Sequence, residues 1–128
     1  FSSRRRHTRF RNVTGVQTCA LPIFAGESRA ISGVGGTGAV SFYYIASGAV
    51  AYAPADASRA DLIEAIGRGV GRTAVHEFAH QLMPTAPVHE SRDIHSYEYA
   101  SASRREHYFG EMHWGLAGPL LERRVGRQ

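Results

Sequence analysis

Residues Ser58 to Pro84 read SRADLIEAIGRGVGRTAVHEFAHQLMP, and the architecture of the chain turns on how this run folds. Ser58 followed three residues later by Asp61 is a helix-starting pattern, and Pro84 is a stop, so the spacing predicts one long helix between them. Leu62, Ile66, Val70, Ala74, Phe78 and Leu82 recur every fourth residue, which predicts a single buried stripe. Gly67, Gly69 and Gly71 interrupt it, each costing about 1 kcal/mol relative to alanine. Either the helix breaks there or a neighbour packs against it closely.

Inside this run stands His76-Glu77-Phe78-Ala79-His80, an H-E-x-x-H pattern. Residues four apart on a helix share one face, so both imidazoles can grip one ion. Glu77 is turned by about 100° from His76, placing its carboxylate within reach of a water on that ion without making it a ligand. Zinc held by neutral imidazoles with one open position lowers the pKa of its water to about 7. Glu77 is then the candidate general base, taking the water's proton and passing it to a leaving amine.

A catalytic zinc site normally has three protein ligands, so one more is needed. Six of the seven histidines fall between His76 and His113, and downstream lies His89-Glu90-Ser91-Arg92-Asp93-Ile94-His95-Ser96-Tyr97-Glu98-Tyr99. From Gly48 to Tyr99 the chain resembles the metzincin metallopeptidases, whose H-E-x-x-H-x-x-G-x-x-H pattern precedes a methionine-bearing turn. The resemblance implies His76 and His80 as the first two zinc ligands, Glu77 as the base, His89 as the third ligand, and a secreted protein. The departures are a longer gap before the third histidine, with Met83, Pro84 and Pro87 inside it, and no methionine at Ser96-Tyr97-Glu98-Tyr99. The same residues also resemble the gluzincin metallopeptidases, in which the third ligand is a glutamate on a following helix. Glu98, 18 residues beyond His80, falls near that position, and both alternatives stay open, with Asp93 and His95 as lesser candidates.

Around this centre, AVSFYYIA (Ala39 to Ala46) and GAVAYA (Gly48 to Ala53) are rich in strand formers and predict neighbouring strands, with Ser47-Gly48 as the turn. By analogy with zincins, Phe42 to Ile45 is the expected edge strand for an extended peptide substrate. Gly33 to Gly38 matches G-x-G-x-x-G, but β-like sequence follows it where a dinucleotide site needs a helix, so it reads as a flexible glycine loop. A C-terminal helix is expected from His113 to Val125, with Leu116, Leu120 and Leu121 as its apolar side and Pro119 kinking or dividing it. Trp114 reads as its anchor. Tyr97, Tyr99 and Tyr108 read as core or rim aromatics ahead of oxyanion-stabilising phenols, Asp93 as a candidate partner for a ligand histidine, and Arg104-Arg105 as a solvated pair.

The 128 residues, 43% of them hydrophobic and 20% charged, suit one compact domain and exclude a coiled coil or a disordered chain. The formal charge of +4 is misleading, because Arg4, Arg5, Arg6, Arg9 and Arg11 stand in residues 1–24 without one acid. Those residues contain SSRRRHTR and VTGVQTCALPI, which resemble translated sequencing-adapter read-through found at the ends of reading frames in assembled metagenomes. Residues 1–24 are therefore expected to be an artefact, the alternative being a disordered basic arm, and residues 25–128 a single zincin-like catalytic domain, a fragment of something longer. With the front set aside, ten arginines face eleven acids, which gives no sign of a nucleic-acid or membrane partner. The expected fold is α+β: a short β-sheet or hairpin, a long active-site helix, an irregular loop and a C-terminal helix. The expected function is a zinc-dependent metallopeptidase acting on a peptide or protein substrate. The alternatives are a structural zinc domain closed by His76, His80, His89 and Glu98, or an inactive fragment.

Overall fold

The computed structural model describes residues 16–20, 25–31, 35–83, 89 and 91–126. Three strands, β1 (Val16–Ala20), β2 (Gly26–Ile31) and β3 (Gly35–Val40), form an antiparallel sheet in the order β1-β2-β3. Helices follow: α1 (Phe42–Ala51), α2 (Arg59–Leu82), α3 (Glu106–Phe109) and α4 (Gly118–Val125). The chain is thus a helix-dominated mix of α and β. β1 lies within the stretch set apart by its composition, and its backbone pairs with β2 from Val16 opposite Ile31 to Ala20 opposite Glu27.

The long helix starts where its sequence says it should. Ser58 Oγ accepts from Asp61 N at 3.2 Å while Asp61 Oδ2 accepts from Ser58 N at 2.8 Å, closing a reciprocal cap. The helix then runs unbroken for 24 residues through all three glycines. The predicted stripe is corrected, however: Ala74 is exposed and Phe78 is 60% exposed. A strict four-residue step overshoots a turn by about 40°, so the stripe winds around the helix and leaves the core. The buried face instead follows Ala65, Gly69, Thr73, His76 and His80, whose spacing stays closer to the natural period. Gly69 is the glycine that something approaches, since a Cβ there would lie 2.8 Å from Ile45 Cγ2 and 2.9 Å from Tyr108 Cε1. Gly67 and Gly71 face open space.

The expected strands at Ala39 to Ala46 and Gly48 to Ala53 are replaced by α1, and β3 ends at Val40. Ser41 caps the helix by accepting from Tyr44 N. Ile45 and Ala49, one helical turn apart, are both fully buried and join Ala25, Ala65, Ala102 and Tyr108 in the main core. Strand propensity yields here to packing that only a helix can supply, against Gly69 and the Tyr108 ring. The glycine loop is corrected too: Gly35 to Gly38 belong to β3, while Gly33 lies outside the described residues. The last helix begins at Gly118 instead of His113, with Pro119 in its first turn, where a missing N–H costs nothing. Leu120 and Leu121 pack with Ala79, Met83, Leu82, Ala117 and Trp114, whereas Leu116 is exposed.

Candidate metal centre

The last two turns of α2 carry His76 and His80 on its buried face, at 5% and 3% exposure. His89, the most exposed of the three, stands against both rings, while most of the irregular loop expected to carry it, residues 84–88 and 90, lies outside the described residues. Its Nε2 lies 2.9 Å from His76 Nε2 and 3.1 Å from His80 Nε2, and the latter two atoms are 3.3 Å apart. The His76 and His89 rings stack nearly parallel, 4.9 Å between centroids, and the His80 ring stands edge-on to both.

Three Nε2 atoms so close cannot satisfy one another. A neutral imidazole nitrogen either donates or accepts, never both. His76 Nδ1 lies 2.6 Å from the Tyr97 carbonyl, which can only accept, so Nδ1 carries the proton and Nε2 presents a lone pair. Burial pushes the His76 ring down to about 4 and the His80 ring to about 3, and it lowers His89 as well, so all three are neutral at pH 7. A single cation held by all three nitrogens would resolve the conflict, and the cluster has the spacing to hold one. Three nitrogens bound tetrahedrally at zinc distance stand about 3.3 Å apart, close to what these rings show.

Glu77, 3% exposed, points from the adjacent face of α2 toward β2. A Cβ on Gly26 of β2 would lie 2.6 Å from Glu77 Oε1 and 2.8 Å from Thr73 Cγ2, so the glycine makes room for this carboxylate. Beside it, Gly36, Gly38, Ala74, Glu77, Phe78 and Leu82 border a groove of about 510 Å³ between α2 and β3, one of the sheet's two edge strands among the described residues.

Glu98 is not with the histidines. It is fully buried, and its carboxylate accepts from Gly115 N at 2.9 Å, Leu116 N at 3.0 Å and Ala117 N at 2.6 Å, tying down the turn that leads into α4. Among the described residues no fourth side chain joins the three imidazoles. Asp93 takes the His113 ring at 2.9 Å and His95 N at 2.9 Å, both near the surface, instead of a ligand histidine. The His95 ring lies with Nδ1 3.2 Å from the Glu111 carbonyl, outside the cluster of three histidines. Tyr108 is core, wedged against Gly69, and Tyr97 stacks on Trp114 at 5.0 Å. His107 is buried, bonded to Thr73 Oγ1 at 3.1 Å, and its ring is pushed down to about 3 by burial first and by the nearby arginines second.

Side-chain patterns had no means of finding the Tyr97 carbonyl or Gly26, since one is main chain and the other is an absence of side chain. Arg104, expected in solvent, is 8% exposed. Compared with known proteins, the chain matches no family model, no curated protein and no solved structure. Among the described residues no helix is long and apolar enough to cross a membrane.

Proposed function

We propose that the chain is a zinc-dependent metallopeptidase of zincin-like arrangement, with His76, His80 and His89 holding the ion and Glu77 acting as general base. The observation that carries this reading is the convergence of three Nε2 atoms within 3.3 Å of one another, that of His76 left with its lone pair by the Tyr97 carbonyl. Among the described residues three side chains converge, the number found in catalytic rather than structural sites, and Glu98 is spent elsewhere. When bound, zinc acidifies a water and polarises a carbonyl. Glu77 accepts the water's proton as its oxygen adds to the scissile carbonyl carbon, then delivers that proton to the departing nitrogen as the C–N bond breaks. Because Phe42 to Ile45 is helical, the edge of β3 takes the substrate-holding role expected of that segment, with Gly36 and Gly38 allowing close backbone approach.

The test is Glu77→Gln. The purified chain should bind one zinc and cleave an unfolded protein such as casein, and the variant should keep its zinc and lose turnover by at least about 100-fold. Equal cleavage by the variant removes Glu77 from the chemistry. Zinc uptake with no cleavage of any peptide by the parent chain would return the site to a structural role.

A further inference from the structure

The turn from Asp93 to Glu98 delivers the Tyr97 carbonyl to His76, yet it belongs to no helix or strand. Its shape is imposed by neighbours, and Arg104 supplies two of the bonds. The guanidinium donates from Nε to the Ile94 carbonyl at 2.6 Å and from Nη2 to the Ser96 carbonyl at 3.1 Å. Nη2 also lies 3.8 Å from Met112 Sδ, and Cζ stands 4.7 Å above the centre of the Tyr99 ring. Every one of these partners is uncharged. Taking this cation out of water costs solvation that the nearby Glu106 carboxylate returns only in part, so as a device for stability alone a well-packed apolar side chain would serve as well.

The links from Arg104 to the metal centre are short. Ser96, whose carbonyl it holds, is 1% exposed and also accepts Tyr99 N at 3.2 Å. Ser96 Oγ accepts Glu98 N at 3.0 Å. That N–H belongs to the same peptide unit as the Tyr97 carbonyl, so one end of the unit is held by Ser96 and the other meets His76 Nδ1. His80 Nδ1, by contrast, has no hydrogen-bond partner among the described residues.

We infer that Arg104 is a positioning residue for the metal centre: by gripping the Ile94 and Ser96 carbonyls it sets the turn that aims the Tyr97 carbonyl at His76. The inference rests on the zinc reading above. A planar fork can hold two carbonyls two residues apart, whereas a lysine ammonium on its flexible stem cannot fix both directions.

The experiment compares Arg104→Lys, Arg104→Met and Ser96→Ala with the parent chain, reading zinc affinity by competition with a chromophoric chelator and the visible spectrum of the Co2+ form. A residue that only stabilises the fold leaves both readings unchanged in the folded population. The expected result is zinc binding weaker by about tenfold in the folded Arg104 variants, with a shifted Co2+ band and a smaller change of the same sign in Ser96→Ala. Folded variants with the parent's affinity and spectrum overturn the inference. Should both of these Arg104 variants fail to fold, Arg104→Gln, which keeps an N–H donor for one carbonyl only, decides: parent-like affinity in its folded population overturns the inference and weakened affinity supports it. A parent chain that takes up no zinc sinks the metal reading itself, an outcome distinct from a parent that binds and variants that match it.

Discussion

Glu98→Ala separates the two roles open to this residue in the sequence, metal ligand or loop clamp. Its carboxylate takes three main-chain N–H groups, from Gly115, Leu116 and Ala117. A hydrogen bond to a charged group contributes about 1.5–3 kcal/mol. Gly115 and Leu116 are exposed residues, so water can replace much of what they lose, whereas Ala117 is fully buried and its donor would be left with nothing. The full cost should be about 3–5 kcal/mol, most of it from the Ala117 N–H and the void left by a fully buried side chain. Glu98→Gln keeps one carbonyl oxygen for the pair of bonds at Oε1 but turns an amide N–H toward another donor, costing about 1–2 kcal/mol. Urea unfolding followed by circular dichroism gives the stabilities, and chelator competition gives zinc affinity under conditions where each variant is folded. Affinity should stay within about threefold of the parent, because the carboxylate touches no ligand histidine. A tenfold or greater loss of zinc affinity in Glu98→Gln, with an unmoved urea midpoint, would refute the clamp and revive Glu98 as a ligand.

Removing one of the proposed ligands should do the opposite: His89→Ala, at a partly exposed position, should lower zinc affinity by more than about 100-fold in chelator competition while moving the metal-free urea midpoint little. The metal-free chain should lose stability in acid, because His107 and His80, pushed down to about 3, stay neutral in the fold while the unfolded chain takes up their protons near pH 6.5. Stability is then complete above pH 6.5 and falls as pH drops through it toward 3, with a slope nearing about 1.4 kcal/mol per pH unit for each ring; urea midpoints that stay flat from pH 7 to 4.5 would contradict this. The three helix glycines should split in a melting experiment: Gly67→Ala and Gly71→Ala raise stability by up to about 1 kcal/mol each, whereas Gly69→Ala lowers it by about 1–3 kcal/mol through collision with Ile45 and Tyr108.

What could be read from the sequence follows from how locally each feature is determined. The start of α2 was legible because Ser58 and Asp61 satisfy each other within one turn. Its buried face was misread because a four-residue repeat mimics a stripe over two turns and departs from it over five. α1 was read as strand because aromatic and β-branched residues dominate it, and the decisive facts, the fit of Ile45 and Ala49 to Gly69 and Tyr108, lie in distant segments. The pairing of His76 with His80 was legible from helix geometry alone. The choice between His89 and Glu98 was not, since carboxylate and imidazole both suit zinc; the structure parts them by giving the carboxylate three backbone donors of its own.

The contact between His76 and position 97 goes through a peptide oxygen, which all twenty amino acids possess. The identity of the residue there can drift while the hydrogen bond survives, provided the path of the chain is kept. Selection on this centre would then leave its trace at the residues that shape the bend, Ser96 and Arg104, and a comparison of homologous sequences would find position 97 variable beside an invariant histidine.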